Sequence, residues 1–325
     1  MAAPVPPNAF CVMPEPLEAF ATDVFKMVDL PDPDAALIAH YLVGVDLRGV
    51  SSHGTRQLRR YVPEFQNGLV NTRPDIGVVN ETPVSVVLDG DGGAGYLAAT
   101  QATERVIEKA KQQGIAMAAT RNHGHVGSEG IYARLAHDLV TFSVAGGTHW
   151  SKPTDADATV WDAMKAPPMC FGIPSEGDPP FVFDANANML RDPSRLAEAL
   201  ETFPDFIFKS LGFKFVSTLL GGVLAGTVPE GDRKFSGANR GFLIVALDPG
   251  AVRDASDFKR EVSRIVAETR SLKPMPGLPS AELPGSLEWQ REQIWRVEGI
   301  PLAEDHKALL ESVATTLNLS VPWEA

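Results

Sequence analysis

The chain has 325 residues, of which 44% are hydrophobic and 22% are charged, and its net charge is -12 at neutral pH. This is the composition of an ordinary globular protein, and it excludes disordered, fibrous and membrane-spanning chains. The negative charge disfavours nucleic acid and anionic membrane surfaces as partners. Two cysteines cannot form a disulfide framework and the first residues resemble no signal peptide, so we expect a cytoplasmic protein.

The first part of the chain is predicted to be helical. Apolar residues from Ile38 to Val45 recur at helical spacing after Asp32-Pro33, and this helix should end near Gly49. The following segment, residues 48–57, is polar and rich in small residues, with too few apolar positions for a core element. It is a candidate functional loop.

That loop places His53 beside the pair Ser51-Ser52 and just before several arginines. An imidazole near guanidinium groups suits a site that anchors a carboxylate substrate and moves a proton at its α-carbon. A solvated basic turn explains the same composition equally well, and the residues alone do not decide between the two.

The middle of the chain alternates strands with helices, which predicts an α/β sheet covered by helices. The predicted strands are residues 84–88, 115–120, 141–145, 169–173, 181–183 and 242–247, and the predicted helices are 97–113 and 128–139. Residues 256–270 and two polar segments around 288–297 and 305–317 are also predicted helices, joined by a proline-rich connector at 273–285.

The longest apolar stretch runs from Phe213 to Val228. It is interrupted by Lys214 and by glycines, and it is shorter than the ~20 residues of a membrane span. We therefore predict a buried helix over residues 210–225. Lys209, which would lie at the start of that helix, should need an anionic partner because a buried cation is costly there; a nucleotide and Asp205 are the two candidates.

A glycine-rich segment, Gly90-Asp-Gly-Gly-Ala-Gly95, matches the pattern of a Rossmann pyrophosphate loop and follows a predicted strand. However, the next strand ends in Ala118-Ala-Thr-Arg121 and lacks the acidic residue that would bind the ribose. We therefore interpret the glycines as a tight structural turn that does not hold a pyrophosphate.

His123 and His125 have the spacing of a metal site, which Glu129 or His149 would complete. A metal-dependent hydrolase using the two histidines is one hypothesis. Because no other cluster with ligand spacing accompanies them, we favour His125 as an acid–base or hydrogen-bonding group in a wet cleft. Asp184 directly follows an apolar strand, a position typical of a catalytic group or of a helix cap.

Taken in chain order, these segments resemble the type 2 malate/L-lactate dehydrogenase family, from about Phe20 to Val321. The most specific element is the first, Asp-Leu-Arg-Gly-Val-Ser-Ser-His-Gly at 46–54. The others are the segment 122–132, Phe183-Asp184, Lys209-Ser-Leu-Gly212, the glycine-rich segment 219–226, Gly237-Ala-Asn-Arg-Gly241 and Pro284-Gly285.

The resemblance implies an α/β protein with a non-Rossmann NAD(P)-binding fold. Residues 1–75 and 248–325 would form a helical, dimerisation and substrate-side domain built from both termini, and residues 76–247 a cofactor-binding domain. It also implies a homodimeric oxidoreductase without a catalytic metal. The enzyme would transfer a hydride between NAD or NADP and the α-carbon of a small 2-oxo, 2-hydroxy or 2-imino acid.

The same resemblance assigns site residues. Catalysis falls to His53, Asp184 and His125; substrate binding to Ser52, Arg56, Gln57 and Tyr61; and cofactor binding to Asp184, Ala185, Asn186, Ala187, Asn188, Lys209, Ser210, Pro284 and Gly285. The chain also departs from the family pattern, because Gln57 stands where the family has an arginine and the segment between Asp184 and Lys209 is shortened. A binding module with lost or altered cofactor binding is therefore an alternative.

Overall fold

The computed structural model describes residue 5 and residues 9–177, 180–190 and 192–323. The chain forms two compact units. The first comprises Met1–Pro74, Pro174–Phe181 and Ala255–Ala325, and the second comprises Asp75–Ile173 and Val182–Asp254. Both units are therefore assembled from segments that are distant in the sequence.

The helices and strands of the described chain are, in order, β1 (Phe10–Val12), α1 (Pro14–Met27), α2 (Asp32–Leu47), α3 (Leu58–Gln66), β2 (Gly77–Thr82), β3 (Ser85–Asp89), α4 (Gly95–Gln113), β4 (Ile115–His123), α5 (Gly130–Leu135), β5 (Val140–Gly147), β6 (Pro168–Ile173), β7 (Phe181–Asn186), α6 (Leu196–Thr202), α7 (Pro204–Thr218), β8 (Arg240–Leu247), α8 (Ala255–Arg270), α9 (Ser286–Glu298), β9 (Ile300–Leu302) and α10 (Glu304–Leu317). A π-helical segment, Leu219–Leu224, continues α7.

The first unit is mainly helical. Its core is formed by apolar residues of α1, α2, α3 and α10, among them Leu17, Phe25, Leu42, Leu58 and Leu310, all fully buried. The short strands β1 and β9 pair in antiparallel orientation and join the two ends of the chain. Helix α2 ends at Leu47, and Gly49, two residues later, adopts the left-handed conformation that glycine tolerates best.

The second unit contains a mixed sheet of seven strands in the order β2-β3-β4-β8-β5-β6-β7. Strands β3 and β4 run parallel, whereas β8 runs antiparallel to both β4 and β5. Helix α4 buries Ala99, Ala102, Val106 and Ala110. A Rossmann domain has a mostly parallel sheet, so this arrangement agrees with the predicted non-Rossmann α/β fold.

The prediction of a helix at 210–225 is confirmed, because α7 and the π-helical segment together cover residues 204–224, but the prediction that this helix is buried is wrong for most of its apolar side chains. The side chains that α7 buries are mostly polar, namely Ser210, Lys214, Ser217 and Thr218, together with Ile207. Seven large apolar side chains of α7 and the π-helical segment are exposed, namely Phe206, Phe208, Phe213, Val216, Leu219, Val223 and Leu224. We call these seven residues the apolar face.

Glycines explain how the helix packs with its polar side inward. A Cβ atom on Gly221 would lie 2.9 Å from Val144 Cγ1, and one on Gly222 would lie 2.6 Å from the Thr148 carbonyl oxygen. The helix backbone thus approaches β5 so closely that no side chain fits between them. By length and composition the segment Pro204–Leu224 could also cross a membrane, but its glycines and polar residues pack against this unit.

One predicted helix is shorter than expected. Residues 128–139 were expected to be helical, but α5 covers only Gly130–Leu135. Ser128 stays outside the helix, where its hydroxyl donates to Asp184. The proline-rich segment 273–285 contains no helix or strand, as predicted.

Candidate active site

The candidate loop is built from two consecutive 3₁₀ turns, Ser51–His53 and Thr55–Gln57, between α2 and α3. His53 is partly exposed, and its Nδ1 lies 3.0 Å from the hydroxyl of Ser52. When Nδ1 carries the proton and donates to this hydroxyl, Nε2 of the neutral ring can accept a proton. The amide of Gln57 donates to the carbonyl of Ser52 at 2.6 Å. The loop therefore presents an oriented imidazole.

Asp46, the first residue of the loop motif, is buried beneath the two turns. Its Oδ2 accepts hydrogen bonds from the backbone N–H of Thr55 at 2.8 Å and from the Thr55 hydroxyl at 2.6 Å. A Cβ atom on Gly54 would overlap the Asp46 carboxyl group. The aspartate that opens the motif and the glycine that ends it thus form one structural unit, which positions His53.

The network continues into α10. Because the Thr55 hydroxyl donates to Asp46, it accepts from His306, whose Nε2 lies 2.9 Å away. Burial lowers the pKa of His306 to about 4, so its ring is neutral at pH 7. Burial also raises the pKa of Asp46 to about 7, although the hydrogen bonds from Thr55 act in the opposite direction. Within the described residues, Asp46 Oδ1 has no hydrogen-bond partner.

Two of the residues predicted to bind substrate, Arg56 and Tyr61, are already paired or buried within the first unit. Arg56 forms a two-point ion pair with Asp305, at 2.8 and 2.7 Å. That hydrogen-bonded pair lowers the pKa of Asp305 to about 2. Tyr61 is buried, with its ring 6.3 Å from that of Phe25. A substrate would have to compete with Asp305 to reach Arg56, whereas Ser52 is exposed.

In the second unit, Asp184 lies near the end of β7. Its Oδ2 accepts from the hydroxyl of Ser128 at 2.7 Å and from the backbone N–H of Gly130 at 2.9 Å. His125 lies in the same connection between β4 and α5, and its ring contacts the edge of Tyr96 at 6.5 Å between centroids. The turn at Ser128–Gly130 therefore holds Asp184, and His125 of the same connection packs against Tyr96.

Two segments that were predicted to bind the cofactor meet at Ser210. This buried hydroxyl donates to the carbonyl of Ala187 at 3.0 Å and accepts from the backbone N–H of Met189, also at 3.0 Å. The side chain of Asn186 accepts from the backbone N–H of Asn188 at 2.7 Å. The shortened loop after Asp184 is thus fastened to α7 next to Lys209.

The prediction that Lys209 is buried is wrong. Lys209 is exposed on α7, five residues after the helix begins, and within the described residues it forms no ion pair with Asp205. The buried lysine is Lys214, which donates to the Trp161 carbonyl and lies 4.1 Å from the centroid of the Trp161 ring. Burial lowers the pKa of Lys214. The ammonium group of Lys209 is therefore accessible to a ligand.

His123 has a structural role. Its Nδ1 donates to the Gly124 carbonyl at 2.8 Å, so its Nε2 accepts from the Thr120 hydroxyl at 2.7 Å. Burial lowers the pKa of His123 to about 4. Both ring nitrogens are therefore used inside the protein, and no group of three or more potential metal ligands occurs among the residues that the structure describes. This geometry does not support the hydrolase hypothesis.

Packing explains the glycines of the Gly90–Gly95 segment. A Cβ atom on Gly90 would lie 2.7 Å from the Cβ of His123, and one on Gly92 would overlap the ring of Phe235. Gly92 also has a left-handed backbone conformation, with φ of 76°. These contacts account for the motif as a structural turn. That it does not hold the pyrophosphate stays a prediction.

The predicted site residues are divided between the two units. His53, Ser52, Arg56, Gln57, Tyr61, Pro284 and Gly285 belong to the first, and His125, Asp184–Asn188, Lys209 and Ser210 belong to the second. Sequence reasoning assigned no role to Asp46, Thr55 or His306, and it considered Glu129 only as a candidate metal ligand. Asp46 could have been recognised from its place at the start of the loop motif, but no local pattern connects His306 with a loop about 250 residues away.

Comparisons with known proteins agree on one family. A sequence profile described as malate/L-lactate dehydrogenase matches residues 12–187 and 182–311. The L-sulfolactate dehydrogenase of Methanocaldococcus jannaschii is 27% identical, over 95% of this chain and 97% of that protein. An NAD(+) ureidoglycolate dehydrogenase of Escherichia coli is 26% identical, over 83% of this chain and 86% of that protein.

Among solved structures, malate dehydrogenase from Pyrococcus horikoshii superposes on the chain with a TM-score of 0.84. The two share 24% identity, and the superposition covers 98% of this chain and 99% of the other. At this identity the likeness demonstrates the fold, and it confirms the predicted fold class.

Proposed function

Because the chain belongs to the malate/L-lactate dehydrogenase family, we propose that it is an NAD- or NADP-dependent oxidoreductase acting at the α-carbon of a small 2-hydroxy, 2-oxo or 2-imino acid. The observation that carries this proposal is the family match, which includes the whole His53 loop and the Asp184 segment. The names of the relatives, which act on sulfolactate and ureidoglycolate, support an acid of this class.

We assign the proton transfer to His53. When a hydroxy acid is oxidised, Nε2 of His53 accepts the proton of the substrate hydroxyl. In the reverse reaction, Nε2 returns that proton to the substrate's oxygen or nitrogen. The Ser52 hydroxyl at Nδ1 orients the ring, and the Asp46–Thr55 hydrogen bonds keep the loop in place. The family resemblance also assigns Asp184 and His125 of the second unit to catalysis. On the substrate side we place Ser52 and Gln57. Arg56 would first have to leave Asp305, and Tyr61, which is buried against Phe25, would contribute by packing.

The residues of the second unit suit a dinucleotide. The nicotinamide ring supplies hydride donor and acceptor chemistry when it is bound. Asp184, Ala185, Asn186, Ala187 and Asn188 form the proposed binding segment of this unit, together with Lys209 and Ser210. From the first unit, the family resemblance also assigns Pro284 and Gly285 to cofactor binding. The fit rests on the Ser210 hydrogen bonds, which hold the shortened loop in a defined conformation, and on the exposed ammonium of Lys209, which suits an anionic ligand.

We further propose that the protein is a cytoplasmic homodimer. The apolar face supports self-association, because monomeric proteins rarely expose a continuous surface of large apolar side chains. Both cysteines are free, which suits a reducing compartment. The resemblance assigns the substrate side and dimerisation to residues 1–75 and 248–325 and cofactor binding to residues 76–247, but the apolar face lies within residues 76–247, so we propose that this domain also takes part in self-association. Neither nucleic acid nor membrane is a proposed partner.

The test is a spectrophotometric assay with NAD+ and NADP+ against malate, sulfolactate and ureidoglycolate, and in the reverse direction with NADH and NADPH and the corresponding oxo acids. Fluorescence of NADH and NADPH on mixing with protein measures cofactor binding separately. We expect binding and turnover of at least one acid. A chain that binds neither reduced nucleotide would instead be a binding module that has lost its cofactor.

A further inference from the structure

A buried carboxyl group lies between the two residues that hold Asp184. Ser128 and Gly130 bind the Asp184 carboxylate, and Glu129, which stands between them in the sequence, points the opposite way into the sheet. Its exposed fraction is 0%. No step of the proposed reaction uses this residue, so its burial needs another explanation.

Both oxygens of Glu129 bind strand β5. Oε1 accepts from the backbone N–H of Ala145 at 2.8 Å, and Oε2 lies 2.5 Å from the hydroxyl of Ser143. These contacts connect the turn before α5 to the centre of the sheet. The same turn carries the two groups that donate to Asp184.

The charges around Glu129 oppose its ionisation. Burial raises the pKa of Glu129 well above its ordinary value of 4.5 and the charge of Asp184 on β7 raises it further, although the hydrogen bonds from Ser143 and Ala145 act in the opposite direction. The thiol of Cys170 on β6 is also buried nearby, and burial together with Asp184 and Glu129 raises its pKa. Arg134 on α5 is the cation that acts on this cluster, and its guanidinium donates to the carbonyl of Gly130.

We propose that Glu129 is a positioning residue for Asp184, because its carboxyl group fastens the Ser128–Gly130 turn, which donates both hydrogen bonds to Asp184, to β5. The raised pKa of Glu129 favours the uncharged acid, which places no second negative charge beside Asp184. The inference rests on the proposed function, in which Asp184 is a catalytic residue. It adds a residue whose proton is held rather than transferred during the reaction. An ionised Glu129 would repel Asp184 and loosen the turn.

The first experiment measures kcat on the acid that is turned over best in the assay above. Glu129→Gln keeps an acceptor for the Ala145 N–H and gains a donor for Ser143, so its kcat should stay close to that of the wild type. Glu129→Ala removes both bonds and should lower kcat by roughly ten- to a hundredfold. Glu104→Gln removes an exposed carboxylate from α4 in the same unit and is the matched control. If Glu129→Ala does not fold, Ser143→Ala replaces it.

The second experiment is independent of turnover and reports the proton itself. A carboxyl group that keeps its proton in the folded state and loses it on unfolding destabilises the protein as the pH rises above 4.5. Glu129→Gln lacks this effect. The melting temperature of Glu129→Gln relative to wild type should therefore increase from about pH 5 to about pH 8, with up to about a tenfold change in the folding equilibrium per pH unit.

The outcomes separate the two proposals. A melting difference that does not change with pH, or a Glu129→Ala variant with wild-type kcat, overturns the positioning role of Glu129 and leaves the proposed function standing. A wild-type protein that turns over none of the acids overturns the proposed function and this inference with it.

Discussion

Two segments of this chain reverse the usual relation between polarity and burial. In residues 46–57 of the first unit, Asp46 and Thr55 are almost completely buried. In the second unit, by contrast, Phe208 of α7 and Val223 of the π-helical segment that continues it are 66% and 53% exposed. The buried polar groups have partners within the unit, through the bonds from Thr55 to Asp46 and to His306. The apolar face has no comparable cover within the described chain. A buried network is stabilised by its own partners, whereas large exposed apolar surfaces commonly mark sites of interaction with another molecule.

The largest effect should come from the polar loop. His53→Asn removes the proposed acid–base group from a partly exposed position, so kcat should fall by ~10²–10⁴-fold while the thermal melting curve stays unchanged. His40→Asn, which changes an exposed histidine on α2, is the control and should retain full activity. Near-normal turnover by His53→Asn would remove this residue from the mechanism.

A charge placed on the apolar face tests whether this surface mediates self-association. Val223→Glu should weaken self-association by roughly 30-fold or more, because the dimer would bury an unpaired carboxylate. Sedimentation velocity over a concentration series measures the effect. Val252→Glu, which changes an isolated exposed valine in the same unit, should leave association unchanged. A monomeric wild type, or one that binds phospholipid vesicles through this helix, would contradict the proposed dimer.

Lys209 tests whether the same helix also serves the nucleotide. Lys209→Met should weaken NADH or NADPH binding by ~1.5–3 kcal/mol, the contribution of a charge-assisted hydrogen bond, with little change in melting temperature because the side chain is exposed. Fluorescence titration measures the affinity. Lys111→Met removes an exposed lysine of α4 and is the control. Unchanged affinity together with reduced stability would show that the partner of Lys209 is structural.

The pH dependence that the buried network confers affects stability rather than activity. Because the pKa of Asp46 is raised from 3.8 to about 7 on folding, the folded state retains a proton that the unfolded state loses. Wild-type stability should therefore decline from about pH 4 to about pH 7, by up to ~1.4 kcal/mol per pH unit from this group, and should show no further decline from it at higher pH.

Urea unfolding of Asp46→Asn measures this contribution. The asparagine keeps an oxygen acceptor for Thr55 but cannot ionise, so its free energy of unfolding relative to wild type should rise between about pH 4 and about pH 7 and then level off. Asp23→Asn, an exposed position on α1, should show no such trend. If the difference in free energy of unfolding between Asp46→Asn and wild type stays constant from about pH 4 to about pH 7, then Asp46 is already ionised at the acid end of that range.

Much of the fold and the family could be predicted from local patterns. Alternating strands and helices predicted the α/β class, and the loop motif at 46–54 with the segments that follow it carried the resemblance that the family match confirms. Predictions failed where an apolar composition was read as burial. In α7 the same residues that suggest a core helix are exposed, while Lys214, which seemed to interrupt the stretch, is buried against Trp161.

The sequence by itself determined the periodicities, the glycine positions and the order of the motifs, because these depend on neighbouring residues and on backbone conformation. Only the tertiary structure decided which side of α7 faces the sheet, that Thr55 connects Asp46 with His306, and that Glu129 turns away from Asp184 toward Ser143. The physical reason is that burial and hydrogen bonding are set by residues far apart in the chain, and no local pattern records which of them will meet.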